Sequence, residues 1–286
     1  ANAMACAERS FGQEPHILIA DNEFLAGESA QHELLRDLDE ALEERTINVH
    51  YQPKISMRSG GIAGAEALIR WMHPRRGPID PSHLIALAEK HGRIDAITSY
   101  VLERALDDAQ HPIALNPRFT VAVNVSPKAL ANPRFCEEVM RHLRSQQLPP
   151  DNLVLEITET SRLDDPITLL VLGELAAHGV QISIDDFGTG YSNLEQLRRL
   201  PSSEIKIDRQ FVDGFTASPQ KAALVRAAIE MGHALNRKVI AEGVERQDEA
   251  TELRELGCDQ AQGFLYSEAI PMSELIKQVY FGPVAA

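Results

Sequence analysis

Residues 47–71 read INVHYQPKISMRSGGIAGAEALIRW, and this stretch decides the fold. It contains two β-rich runs, Ile47–Ser56 and Gly61–Trp71, separated only by the turn Met57–Gly60. A parallel pair of strands needs a crossover of a dozen or more residues, whereas an antiparallel pair needs only a short turn. We therefore predict that these two strands are antiparallel neighbours.

The rest of the chain alternates short β-rich runs with longer helical ones, which is typical of parallel strands joined by helical crossovers. The further strand candidates are Thr120–Ser126, Leu153–Thr160, Gln181–Phe187, Glu204–Asp208, Lys238–Glu245 and Asp259–Phe264. The helical runs are Pro81–His91, Ile94–Ala109, Pro133–Ser145, Pro166–His178, Pro219–Asn236 and Asp248–Gly257. Together with the first two runs, this pattern predicts an α/β fold, a TIM-like (β/α)8 barrel with the first strand antiparallel to the rest.

The first 46 residues follow a different pattern. Leu34, Leu35, Leu38 and Leu42 recur at helical spacing, which predicts a connector helix packed on the barrel. The alternative is a remnant of an upstream regulatory domain. We expect residues 1–36 to be an N-terminal tag or connector and residues 37–286 to form the barrel.

Composition narrows the function class. The 286 residues include 28 Lys and Arg against 42 Asp and Glu, a net charge of −14, which argues against a partner that is a nucleic acid polymer. The three cysteines are far apart in the sequence, and no run approaches the roughly 18 apolar residues of a membrane span. We expect a protein of the reducing cytoplasm with no membrane contact.

Polar residues recur late in the predicted strands, on the face that alternation assigns to the barrel interior. These residues are Glu66, Arg70, Asn124, Glu156, Asp185, Asp186, Lys206, Asp208 and Glu242. The carboxyl ends of barrel strands form the mouth, where barrel enzymes have their active sites. We therefore expect these side chains to converge there.

The charges of this set indicate a metal centre. Its six acids exceed its two bases, Arg70 and Lys206, by four negative charges, and such a surplus is unfavourable in a partly buried site. Two divalent ions would neutralise it, and carboxylate and amide oxygens favour Mg²⁺ or Mn²⁺. Ion pairs of this kind commonly support in-line displacement at phosphorus. The alternative is a network of internal salt bridges.

Several motifs occur in a fixed order along the chain. They are Tyr51-Gln52-Pro53, Glu66-Ala67-Leu68-Ile69-Arg70, Asn124-Val125-Ser126, Glu156-Ile157-Thr158-Glu159, Asp185-Asp186-Phe187-Gly188-Thr189-Gly190-Tyr191, Ile205-Lys206-Ile207-Asp208, Ala241-Glu242-Gly243-Val244-Glu245 and Gln262-Gly263-Phe264. Over roughly residues 34 to 280, this sequence resembles the EAL-domain cyclic di-GMP phosphodiesterases.

The resemblance implies a role for each matching residue. Metal ligands would be Glu66, Asn124, Glu156 and Asp185 for one ion, and Asp185, Asp186 and Glu242 for the other. Catalytic roles would fall to Lys206, which orients the attacking water, and to Glu242, Glu66, Asp186 and Gln262. Substrate contacts would come from Gln52, Leu68, Arg70 and Asp208, whereas Glu159 would brace the loop after the fifth strand.

The resemblance also implies an activity, hydrolysis of cyclic di-GMP to linear pGpG, and a homodimer. Because the sequence retains every metal ligand and the lysine, we favour an enzyme. The alternatives are a catalytically silent cyclic di-GMP sensor or protein-interaction module, and an unrelated metal-dependent barrel hydrolase.

Overall fold

The structure is a computed structural model that describes residues 22–158, 165–189 and 194–281. Its strands are, in chain order, β1 Asn48–Ser56, β2 Ile62–His73, β3 Gly77–Ile79, β4 Thr120–Asn124, β5 Leu153–Thr158, β6 Gln181–Phe187, β7 Glu204–Ile207, β8 Lys238–Ala241 and β9 Gln260–Ala261. Hydrogen bonds join them in the order β1-β9-β8-β7-β6-β5-β4-β2, and β1 also pairs with β2, which closes an eight-stranded barrel.

The first strand has the predicted direction. β1 is antiparallel to both of its neighbours, β2 and β9, whereas the other barrel strands pair in parallel. The structure thus confirms the predicted TIM-like barrel with its first strand reversed.

Helices cover the outside of the barrel. They are, in chain order, α1 Asn22–Glu43, α2 Pro81–Lys90, α3 Ile94–Leu115, α4 Pro127–Leu130, α5 Phe135–Ser145, α6 Pro166–Ala177, α7 Leu194–Arg199, α8 Arg209–Val212, α9 Pro219–Ala234, α10 Gln247–Glu255 and α11 Met272–Phe281. Local sequence explains several of their starts: Asp80 caps α2 and Asp165 caps α6, each followed by a proline at the first helical position. The strand residues that alternate with the inward polar positions, such as Val121 and Leu155, are completely buried.

Several strand ends differ from the prediction; β9, for example, is Gln260–Ala261 rather than Asp259–Phe264. β8 stops at Ala241, because Gly243 adopts a positive φ of 63° at a point where a Cβ atom would overlap the side chain of Arg209. β2 continues past the barrel mouth to His73 and forms a hairpin with β3 that the sequence pattern did not predict.

Helix α1 is continuous through residue 36 and packs Leu34, Leu35 and Leu38 into the hydrophobic core. Its Asp37 accepts a hydrogen bond from Nη2 of Arg75 at 2.7 Å and lies 3.0 Å from Nε2 of the buried His73. The helix is therefore attached to the hairpin that extends β2. Among the described residues, no helix is both long and apolar enough to cross a bilayer.

Candidate active site

Four carboxylates surround the ammonium group of Lys206 at the barrel mouth. Its Nζ atom lies 3.5 Å from Glu66, 2.9 Å from Glu156, 3.2 Å from Asp185 and 2.7 Å from Glu242. Each of these residues belongs to, or directly follows, a different strand. The structure therefore brings together the acids and the lysine that strand alternation assigned to the interior.

Strand register explains the convergence. Asn124 on β4 pairs with Glu156 on β5, and Thr158 at the end of β5 pairs with Asp185 on β6. Asn124 and Glu156 therefore lie at one level, whereas Asp185 is two residues beyond Ser183, the partner of Glu156, and lies nearer the mouth. The acids thus meet around Lys206 from adjacent levels of the barrel.

The adjacent pair Asp185 and Asp186 needs an irregular backbone, because successive strand residues point to opposite faces. The pairing of β6 with β7 is irregular between Ile184 and Phe187, and Asp186 has a φ of 55°. The amide of Asp186 donates to Oδ1 of Asp185 at 2.9 Å. The irregularity lets both carboxylates reach the mouth.

Glu66 is held by two amide side chains. Its Oε1 accepts from Nδ2 of Asn124 at 2.7 Å, and its Oε2 accepts from Nε2 of Gln262 at 2.7 Å. The same Gln262 nitrogen also donates to Oε1 of Gln52 at 2.9 Å. The buried Oε1 of Gln262 has no hydrogen-bond partner among the described residues, and it could accept a hydrogen bond from a water or a ligand.

Burial and mutual repulsion divide the acids into two kinds. Burial raises the pKa of Glu242 to about 8, and it also raises the pKa of Glu66, with the charge of Glu156 acting in the same direction. Burial acts in the same sense on Glu156, but Lys206 and Lys54 outweigh it and lower its pKa to about 2. The four carboxylates keep the pKa of Lys206 well above its ordinary value although its burial acts against this.

This donor set fits a divalent cation. Single carboxylate oxygens of Asp185, Asp186 and Glu242 lie within 4.8 Å of one another, and all the candidate donors are carboxylate or amide oxygens. A raised pKa in a carboxylate that lies among other acids indicates repulsion that a bound cation would relieve. Asp186 is in this state, because burial and the charges of Asp185 and Asp208 raise its pKa.

A cavity of about 600 Å³ opens beside these acids. Leu68 and Arg70 line it, together with Asn124 and the two aspartates, and Arg70 donates from Nη1 to the carbonyl of Ile69 at 2.9 Å. Asp208 caps α8 by accepting from the amide of Gln210. The cavity thus combines carboxylates, a guanidinium group and apolar side chains.

One predicted residue cannot be placed, and one residue of the site was missed in the sequence. Glu159 lies outside the described residues, as does the segment 190–193 of the glycine-containing loop. Lys54 was missed: its side chain is buried, and its Nζ lies 2.6 Å from Oε1 of Glu156. Strand alternation could have found it, because Lys54 is two residues from Gln52 on the same face of β1. It adds a base that the charge count omitted.

Comparison with known proteins shows the family. The family model for the EAL domain matches residues 35–269. The chain belongs to the EAL domain family.

The relatives of this EAL domain include two proteins of Pseudomonas aeruginosa. It is 41% identical over 256 residues to the bifunctional diguanylate cyclase/cyclic di-GMP phosphodiesterase MucR, covering 89% of this chain and 37% of MucR. It is 33% identical over 245 residues to the cyclic di-GMP phosphodiesterase RocR, covering 85% of this chain and 62% of RocR. The chain therefore spans only part of each relative.

Solved structures of relatives share the fold. The MucR phosphodiesterase in complex with c-di-GMP has a TM-score of 0.80 and 42% identity, over 85% of this chain and 99% of that one. The EAL domain of Mycobacterium smegmatis DcpA has a TM-score of 0.72 and 34% identity, over 84% of this chain and 100% of that one. These two solved structures therefore have the same overall fold as this EAL domain.

Proposed function

We propose that this EAL domain is a cyclic di-GMP phosphodiesterase that uses two divalent cations, Mg²⁺ or Mn²⁺, and releases linear pGpG. The observation that carries the proposal is the convergence of four carboxylates on Lys206 beside an open cavity. Relatives named as cyclic di-GMP phosphodiesterases support the choice of substrate.

The ligand assignment keeps the roles that the family resemblance implies, and the proximity of Asp185, Asp186 and Glu242 supports the second set. We assign Glu66, Asn124, Glu156 and Asp185 to one cation and Asp185, Asp186 and Glu242 to the other, so that Asp185 is shared. The cations, when bound, supply Lewis-acid stabilisation of the charge that develops on the phosphoryl oxygens.

The remaining residues position the reactants. Lys206 would hold the attacking water by a charge-assisted hydrogen bond, and Gln262 would accept from it through its unpartnered Oε1. The water oxygen forms the new bond to phosphorus, the bond from phosphorus to the 3′ oxygen breaks, and that oxygen leaves with a proton. The product is a linear dinucleotide with one terminal phosphate.

Substrate contacts would come from the walls of the cavity. Arg70 has the planar, forked donor geometry that matches a phosphate group, and Leu68 offers an apolar surface to a base. We assign supporting contacts to Gln52 and Asp208, and we assign the bracing of the glycine-containing loop to Glu159.

The test is incubation of the protein with cyclic di-GMP and Mn²⁺ or Mg²⁺, followed by chromatographic separation of the nucleotides. We expect pGpG to appear, and to disappear when EDTA is added. Tight binding of cyclic di-GMP without any product would instead identify a sensor. Binding of neither the nucleotide nor Mn²⁺ would refute the proposal.

We also propose that the domain forms a homodimer, because members of the EAL domain family often do. Light scattering at high protein concentration tests this separately, and a mass of one chain of 31.6 kDa would contradict it.

A further inference from the structure

The barrel interior contains a second buried ammonium group besides that of Lys206. The side chain of Lys54 is 1% exposed, and its Nζ donates to Oε1 of Glu156 at 2.6 Å. The other oxygen of Glu156 accepts from Lys206 at 2.9 Å. Glu156 is therefore held by a different lysine at each of its two oxygens.

Lys54 approaches Glu156 from below the site. In the antiparallel pair of β1 and β2, Gln52 is opposite Glu66 and Lys54 is opposite Gly64. Lys54 thus starts one inward position farther from the mouth than Gln52. Because β2 and β4 separate β1 from β5 in the barrel, the Lys54 side chain reaches across the interior to make this contact.

Stability alone is a poor explanation for this lysine. Removing an ammonium group from water costs several kcal/mol, and apolar replacement of a buried ion pair is often neutral or stabilising. A second buried carboxylate, Glu204, is paired with a different base, Lys238, at 3.4 Å. The charge of Glu204 also acts on Lys54, but the hydrogen bond of Lys54 goes to Glu156.

We propose that Lys54 is a positioning residue that fixes the orientation of Glu156 for cation binding, without contacting the substrate itself. The inference rests on the proposed function. The bond from Lys54 to Oε1 fixes the carboxylate so that its Oε2 points to Lys206 and the site, and each oxygen keeps a second lone pair for a cation. Partners that orient metal ligands in this way typically contribute 10- to 100-fold to metal affinity or activity.

Orientation and charge have opposite effects on metal affinity. Loss of a positive charge near the site would by itself tighten the binding of a cation. Loss of the orientation of Glu156 would weaken it. The sign of the change therefore separates a positioning role from a purely electrostatic one.

The experiment compares Mn²⁺ binding to the parent chain and to Lys54→Met by calorimetry in the absence of nucleotide. Methionine retains an unbranched apolar side chain and removes the ammonium group. We expect the Kd for Mn²⁺ to rise by about tenfold or more. In hydrolysis assays with saturating Mn²⁺, we expect kcat to fall while the KM for cyclic di-GMP changes by less than about threefold.

The matched control is Lys238→Met, which removes the ammonium group that pairs with Glu204. We expect its Mn²⁺ affinity and its turnover to stay within about twofold of the parent. Equal or tighter Mn²⁺ binding by folded Lys54→Met would overturn the proposal.

Two further results keep the test decisive. If Lys54→Met does not fold, a crystal structure of the Mn²⁺-loaded parent decides: Lys54 within hydrogen-bond distance of Glu156 supports the proposal, and Lys54 turned to Glu204 overturns it. If the parent chain binds no Mn²⁺ and releases no pGpG, the proposed function is refuted. If the parent chain binds Mn²⁺ and releases pGpG, and Lys54→Met behaves identically, only the role of Lys54 is refuted.

Discussion

Replacement of Glu66 by glutamine removes one charge from the site and keeps the shape of the side chain. In the parent chain, the two oxygens of Glu66 accept from the amide nitrogens of Asn124 and Gln262, each at 2.7 Å. Glutamine has one oxygen and one NH₂ group. Whichever way it is turned, it presents a donor to one of these two donors.

Two opposing effects determine the stability of Glu66→Gln. A buried donor without an acceptor costs about 1–3 kcal/mol. The neutral amide, however, removes the unfavourable burial of a charge and its repulsion by Glu156, which together raise the pKa of Glu66. Because these effects oppose each other, we expect the free energy of unfolding without metal to change by less than about 2 kcal/mol.

The effect on turnover is larger. A bound divalent cation contributes several kcal/mol to the stabilisation of transition-state charge, and loss of a carboxylate ligand removes much of this contribution. Since about 1.4 kcal/mol corresponds to a factor of ten in rate, a loss of about 4 kcal/mol predicts roughly 10³-fold slower hydrolysis.

The assay measures pGpG release at saturating Mn²⁺, with thermal unfolding followed by circular dichroism with and without the metal. We expect Mn²⁺ to raise the Tm of the parent more than that of Glu66→Gln. Glu255→Gln, the same change at an exposed position on α10, serves as the control and should behave like the parent. Folded Glu66→Gln with more than a tenth of the parental rate would refute the assignment of Glu66 as a metal ligand.

Three further predictions concern other parts of the molecule. Asp37→Asn should loosen α1 from the β2–β3 hairpin and change the fluorescence of Trp71, the single tryptophan, whereas Asp39→Asn on the same helix should not. Hydrogen bonds, above all the one from Arg75, lower the pKa of Asp37. The contact should therefore persist at neutral pH and be lost as the pH falls through this lowered pKa, and a Trp71 fluorescence that does not change with pH would contradict it. Gly64→Ala places a Cβ atom 2.5 Å from a backbone oxygen, and urea unfolding should show that it destabilises the barrel by about 1–3 kcal/mol. The control Gly173→Ala, in open space on α6, should be neutral or stabilising. Ca²⁺ in place of Mn²⁺ should bind yet support much slower hydrolysis, because Ca²⁺ takes more ligands at longer distances; equal rates would contradict the proposed site.

Local pattern was enough to predict that the acids and Lys206 converge at the barrel mouth. Strand residues alternate between faces with a period of two, so the sequence already assigns Glu66, Glu156 and Lys206 to the barrel interior. Parallel strands end at a common rim, which is why their late polar residues were expected to meet. The four-residue turn between the first two strands similarly determined that β1 is reversed, because no parallel crossover is that short.

Other features depend on contacts between distant parts of the chain. The partner of Lys54 is decided only when the barrel closes and brings the interior of β1 opposite β5. The attachment of Asp37 to His73 similarly requires α1 to pack beside a hairpin that lies beyond the barrel mouth. Alternation and turn length are properties of neighbouring residues and can be read along the chain, whereas the pairing of buried charges is set by the closed packing of strands that are far apart in sequence.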